Sequence, residues 1–441
     1  MCGQLGVMLL ARYFFQWILD FSSQLNTSGG AGVALFSASA VGGALLGFRA
    51  FDGVTDPIAG SLSDRWVAGG RERRALLWYA APLPALGLAL CFLPSFEMGE
   101  GLRWLTLLTG MFTFFVGYTI YAIPYWSLSG DYSRSAEDTS RLSTLLGVGL
   151  LLATAVGFIV TPLLIERFGY FGSGLIIALT SLPLMIAPYY AAPAQREGSA
   201  QAEALSTADE DEAPAVNFKV VLNALKNDRF RAVLSLFAGS QMSLTVMTSA
   251  APFIAVDLLG GTKGDVARLL GPLLGVAIPA SILTPWLARR LGWERAVVYA
   301  CAALSLVYLG VGALGVNLIY SPVVTAMCIF ACGGPMIATL LGLEAEAISA
   351  CANEERARLS GEGAEPPALI GVYFGVYNLV VKGCNGVAIA LTGVLAGWAR
   401  AGELWAVRMM GISAGLMLLL GLALYALNRA QARAQTRARV S

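Results

Sequence analysis

Apolar stretches of bilayer-spanning length recur along this chain, parted by short polar intervals, and no other feature limits its fold as sharply. The stretches cover residues 4–22, 33–62, 75–94, 104–129, 142–165, 171–191, 230–256, 267–287, 296–315, 319–349, 368–396 and 404–427. A helix crosses a bilayer with about 20 apolar residues, and in hydrocarbon every backbone N–H and C=O must be satisfied within the structure itself. The pattern therefore predicts an all-α membrane protein of twelve transmembrane helices. Composition agrees: 57% of the 441 residues are apolar and only 13% are charged, about half the charge of a soluble domain. Such a chain cannot clothe a globule of this size in a water-soluble skin. That excludes a soluble enzyme and a disordered scaffold, and a net charge of +1 leaves no basic footprint for nucleic acid.

The longest polar interval, 192–229, divides the stretches into six and six. Its acidic, Ala- and Ser-rich part, to about 214, has the composition of a flexible linker. The following VNFKVVLNALKNDRFR has the apolar spacing of a short amphipathic helix. This predicts six-helix bundles at 1–191 and 230–428, joined by a cytoplasmic linker, with a basic tail at 429–441. Lys and Arg crowd into alternate intervals, as at Arg71, Arg73 and Arg74 or at Arg289, Arg290 and Arg295. By the positive-inside rule both termini are expected to face the cytoplasm, and the cell membrane is the expected location. The first stretch carries Arg12, Gln16 and Asp20 and lacks a small-residue cleavage site, so it reads as a membrane helix rather than a signal peptide. Basic turns follow both the second and the eighth stretch, in GSLSDRWVAGGRERRALL and TPWLARRLGWERAVV. Two six-helix halves repeated about an axis along the membrane normal build the major facilitator fold.

No histidine is present, and the seven cysteines lack metal-ligand spacing. The cysteines read as small packing residues, and any ion coupling must run on carboxylates. The segment FRAFDGVTDPIAGSLSDR, residues 48–65, places Arg49, Asp52 and Asp56 inside a span. Asp52 and Asp56 are four apart and share one helix face. Carboxylates in hydrocarbon are costly and usually functional. Their oxygens suit a hard cation, Thr55 lies close by, and Pro57 removes the hydrogen bond to the Gly53 carbonyl. A buried Arg–Asp network that merely locks helices together is the competing reading, and it holds more weight for Arg49 than for the two acids.

Here the sequence resembles a known family. Asp-x-x-x-Asp-Pro-x-x-Gly-x-x-Ser-Asp-Arg, from Asp52 to Arg65, is similar to the signature of the glycoside–pentoside–hexuronide:cation symporters, which the sodium-dependent lysolipid symporters share. The resemblance implies that Asp52 and Asp56 hold a sodium, lithium or proton. It also implies that Asp64, Arg65 and Arg71 belong to a cytoplasmic gate like that of the wider major facilitator superfamily. YTIYAIPYWSLSGDYSRSAEDTSRL, residues 118–142, resembles the family's fourth-helix motif. There Thr119 would add a hydroxyl to the cation site, and Tyr121, Tyr125 and Trp126 would form a wall of the solute cavity. GVYFGVYNLVVKGCNGVAIALTGVL, residues 371–395, resembles the eleventh helix. Its Lys382 lies too deep to snorkel comfortably and needs an anionic partner. The resemblance makes it a coupling group that pairs with the cation-site acids when no cation is bound. Gly375, Gly383 and Gly386 would allow close helix approach, and Asn378 is a candidate solute contact.

Two departures bear on the solute. Ala122 stands where the family's sugar-binding aspartate is expected, and RLSTLLGVGLLLA lacks the fifth-helix arginine. Gln16 or Asp20 would have to replace the first-helix acid. Glu344 and Glu346 read either as gating groups or as a helix end with water access. SGGAG at 28–32 is a loop rather than a phosphate cradle, and the glycosylation triplet at Asn26 is a chance match. The expectation is a monomeric symporter without a resident cofactor. It would import a small organic solute, a sugar or glycoside, with sodium, lithium or protons. A lysolipid or other non-sugar solute, a proton-coupled drug antiporter and a non-transporting receptor remain as alternatives.

Overall fold

The structure, a computed structural model, describes residues 1–26, 32–132, 136–191, 224–314, 321–361 and 369–440. Most of the linker expected at 192–229, and the loop holding the glycosylation triplet, lie outside them. The helices in chain order are α1 (Cys2–Ser22), α2 (Ala38–Ala68), α3 (Arg73–Ala80), α4 (Pro82–Cys91), α5 (Glu100–Tyr132), α6 (Ala136–Ala155), α7 (Thr161–Ala191), α8 (Asp228–Phe253), α9 (Val266–Leu291), α10 (Trp293–Val311), α11 (Pro322–Gly361), α12 (Leu369–Arg400) and α13 (Leu404–Val440). Single π turns follow α6 (Val156–Val160) and α8 (Ile254–Leu258). The one departure from all-helical structure among the described residues is a two-stranded ribbon after α1, pairing Leu25 with Ala34 and Asn26 with Val33.

Eight of the described helical stretches are long and apolar enough to cross a membrane. One of them, Leu145–Ala191, serves as two rods because Gly169 breaks it with φ 67° and ψ −178°, a conformation open essentially to glycine alone. α1, α2 and α8 complete the twelve rods, although polar residues in their middles dilute their hydropathy. The protein is thus an all-α membrane protein.

Helix limits differ from expectation at two ends. α11 continues well past residue 349, so Glu344 and Glu346 lie within a helix rather than at its end. α13 runs to Val440 and absorbs the expected tail, because its Ala-, Arg- and Gln-rich sequence has high helix propensity.

The chain forms two compact units, Met1–Ser37 with Ala50–Ala215, and Ala38–Arg49 with Val216–Ser441. In the first, α1 packs on α7 and α6, and α4 packs on α5. A Cβ at Gly87 would lie 2.3 Å from the Phe114 nitrogen, and one at Gly110 would lie 2.7 Å from the Cys91 nitrogen. Only glycine permits that approach of α4 to α5. Phe14 stacks on Phe114 at 4.5 Å between ring centres. In the second unit, α8 packs on α13 and α9 on α11. The first turns of α2 belong here because Gly42 and Gly393 let them cross α12. A Cβ on Gly393 would meet the Ala38 carbonyl oxygen at 2.6 Å and the Gly42 Cα at 3.0 Å.

Candidate functional site

In the first unit, α2 and α5 bring together a carboxylate and a hydroxyl. Asp52 is 1% exposed, and its Oδ1 accepts a 2.8 Å hydrogen bond from Thr119 Oγ1, also buried. Gly60, two turns beyond Asp52, leaves room for Ile123, one turn beyond Thr119. Asp56 is half-buried one turn from Asp52. The Thr55 hydroxyl donates to the backbone carbonyl of Asp52 at 3.2 Å, a local bond common for threonine in a helix that leaves its oxygen lone pairs available. The described residues contain no group of three or more His, Cys, Asp or Glu side chains able to hold a metal ion. What α2 and α5 offer is therefore an oxygen site of one buried carboxylate, a neighbouring hydroxyl and a second carboxylate a turn away. Such hard donors suit sodium or a proton rather than a transition metal.

The aromatic residues of the fourth-helix motif divide. Tyr121 is fully buried, donates to the Met185 carbonyl at 2.8 Å and stacks on Tyr125. Its hydroxyl is thus engaged by α7 and its ring by a neighbour on α5, so in this structure neither is exposed for a solute. Tyr125 is 7% exposed and receives a long 3.4 Å contact from the amino terminus. Trp126 is half-buried and donates from its indole nitrogen to Gln4 Oε1 at 2.8 Å, which fixes the ring's orientation.

Polar residues on α1 are also deeply placed. Asp20 is fully buried and accepts a hydrogen bond from the Tyr170 hydroxyl, so it is engaged by α7. Gln16 is fully buried, and neither of its amide atoms has a hydrogen-bond partner among the described residues. An unsatisfied buried amide costs about 1–3 kcal/mol and calls for an explanation such as a ligand.

The turn after α2 is built differently from its sequence reading. Asp64 pairs with Arg73, not with its neighbour Arg65: Arg73 Nη2 lies 2.8 Å from Asp64 Oδ1, and Nη1 donates to Ser63 Oγ at 2.7 Å. Arg73 is 4% exposed, while Arg65 and Arg71 are exposed. Arg71 lies over the Trp66 ring at 4.5 Å. The turn folds back, so the clasp for Asp64 comes from α3, nine residues on, where helical spacing gives no cue.

In the second unit, Arg49 and Lys382 are half-buried and Asn378 is exposed. Gly386 makes a close approach, its Cβ direction meeting Arg49 Cβ at 3.1 Å, whereas Gly375 and Gly383 face open space. The expected packing role holds for Gly386 alone of the three. Sequence reasoning missed one cluster here: Glu344 Oε2 accepts from Gln241 Nε2 at 2.7 Å, and Oε1 accepts from the Tyr377 hydroxyl at 2.6 Å. An acid inside the apolar run of α11 was its only sequence signal, because its partners lie on two distant helices.

The family described as MFS/sugar transport protein matches residues 31–400. Among curated proteins, the chain is 25% identical over 274 residues to the isoprimeverose transporter of Lactiplantibacillus pentosus, covering 58% of this chain and 53% of that one. It is 28% identical over 165 residues to the putative glycoside/cation symporter YagG of Escherichia coli (strain K12), covering 35% of each. The chain thus aligns with about half of the first relative's length and about a third of the second's. Among solved structures, it is similar to the nucleoside transporter NupG, with TM-score 0.58 and 13% identity over 96% of this chain and 98% of that one. It is also similar to a structure from work on substrate recognition in proton dependent oligopeptide transporters, with TM-score 0.61 and 13% identity over 97% and 98% of the two chains. These structural likenesses carry the fold.

Proposed function

The chain belongs to the MFS/sugar transport protein family, and we propose that it is a cation-coupled symporter importing a sugar or glycoside. One observation carries the coupling: the buried 2.8 Å contact between Asp52 and Thr119. It supports α2 and α5 as walls of one cation site, with Asp56 as its second acid. A bare carboxylate is expensive in a membrane helix, and an oxygen-bound cation offsets that expense. The relative named as a glycoside/cation symporter favours the same reading of solute and coupling. In the first unit Trp126 and Tyr125 are the candidate aromatic contacts for a sugar ring and Gln16 a candidate polar one, and in the second unit Arg49 and Asn378 are candidate polar contacts. Lys382, an ammonium within a membrane-spanning helix, takes the coupling role. Asp64 and Arg71 belong to the cytoplasmic gate, with Arg73 as the clasp. Loading of cation and solute together favours the change of access, so the gradient of one moves the other.

Sodium that binds the folded state alone must raise thermal stability by mass action, by about 2.7 kcal/mol at a hundredfold excess over Kd. Purified wild type is expected to melt higher in sodium or lithium than in choline, and Asp52→Asn and Asp56→Asn to lose that shift. A wild type that ignores both ions but responds to pH makes the carrier proton-coupled. A sodium shift that survives in both variants removes the site from α2.

A further inference from the structure

Glu344 lies inside α11, within a membrane-spanning stretch, yet both of its hydrogen-bond partners, Gln241 on α8 and Tyr377 on α12, are uncharged. Charged groups on the packed helices are engaged elsewhere or lie at helix ends. Arg289 and Arg290 stand in the last turn of α9. On α10, Glu294 is held by Tyr425 and Arg429, and Arg295 is exposed. On α8, Asp228 pairs with Arg231 and Arg229 with Glu354. On α12, Tyr373 is bonded to Asn227, and Lys382 makes no ion pair with Glu344. On α11 itself, Glu346 is exposed and Glu355 pairs with Arg358.

The choice of partners is informative. Lysine or arginine can only donate, so either would serve the ionised carboxylate alone. A glutamine amide and a tyrosine hydroxyl both donate and accept. Around a carboxylate they donate, as here. Around a carboxylic acid one of them can turn, the Gln241 amide by half a rotation about its last bond, and accept the acid's proton in a hydrogen bond. The cage can therefore hydrogen-bond the carboxyl of Glu344 in both protonation states. Glu344 retains some exposure at the protein surface.

We propose that Glu344 is a proton-binding site of the second unit, loading from and releasing to water while one of its two partners, Gln241 or Tyr377, reverses its hydrogen bond. The site is separate from the oxygen site at Asp52 and stands whether or not sodium binds there. Ionised, Glu344 ties α8, α11 and α12 together with charge-assisted bonds, which are stronger than neutral ones. Protonated, it holds them less tightly, so the proton's presence is felt at a three-helix junction.

The test is infrared difference spectroscopy between acid and alkaline buffer on purified protein carrying Asp52→Asn and Asp56→Asn, which silences the two acids of the proposed cation site and keeps the two readings distinguishable. A deuterium-sensitive carboxylic-acid component that grows as pH falls is expected, and subtracting the spectrum of the same protein with Glu344→Gln added is expected to isolate it. Tyr377→Phe keeps the carboxyl but removes one partner, and should displace the midpoint of that component's titration. Identical pH-dependent spectra with and without Glu344→Gln overturn the proposal. Should Glu344→Gln fail to fold, Tyr377→Phe and Gln241→Leu decide the matter, and a midpoint unmoved by both overturns it.

Discussion

At the scale of single residues, the pairing of Asp52 with Thr119 separates what spacing reveals from what only packing reveals. Asp52 is legible as an acid in a span. That its partner is a hydroxyl on another helix rests on the resemblance and on the 2.8 Å contact. Thr119→Val preserves the side chain's shape and removes the donor. It is expected to weaken the sodium-induced melting shift so that about tenfold more sodium is needed, equivalent to about 1.4 kcal/mol, while Thr119→Ser retains the response. Equal sodium dependence in wild type and Thr119→Val would remove the hydroxyl from the site. Tyr121 shows the limit of motif reading. Its place in an aromatic motif suggests a solute wall, but its hydroxyl is bound to the Met185 carbonyl and its ring is buried. Nothing in the local sequence distinguishes a tyrosine that faces solute from one that faces α7.

At the scale of elements, the turn from α2 to α3 depends on one guanidinium that holds Ser63 and Asp64 together. Arg73→Ala leaves both partners without their donor and is expected to destabilise the protein by about 1–3 kcal/mol. Arg65→Ala, at an exposed position, should stay within about 0.5 kcal/mol. Melting curves of the two variants in the same detergent check the contrast, and equal losses would return the clasp to Arg65. The break within α7 is a second case. The sequence shows an interruption between the stretches 142–165 and 171–191, but not that a single residue makes it. Gly169→Ala places a Cβ on a φ of 67° and should cost about 1–3 kcal/mol. A melting temperature unchanged by that substitution would contradict the backbone described here.

At the scale of the whole molecule, family membership and fold point to solute movement, and coupling is a property no single residue displays. In vesicles reconstituted with the protein, an inward sodium gradient is expected to drive accumulation of a transported glycoside, and Asp52→Asn to abolish it. Accumulation that persists without sodium but follows a pH gradient assigns the coupling to protons. Orientation is testable in the same membranes: a fluorescent protein that matures only in the cytoplasm, fused after Ser441, should fluoresce. A dark fusion with intact expression would invert the topology read from the positive intervals.

Much of this architecture is written in the order of residues, since a bilayer leaves a long apolar stretch little choice but to become a helix. The number of rods, the acidic pair on α2 and the lysine on α12 all follow from that, because period and hydropathy are local properties. Which polar groups meet is not local. Thr119 reaches Asp52 across 67 positions, Tyr377 reaches Glu344 across 33, and Gln241 reaches Glu344 across 103. Such partnerships arise when glycines and aromatic rings set how closely helices cross, and no spacing rule along the chain encodes them.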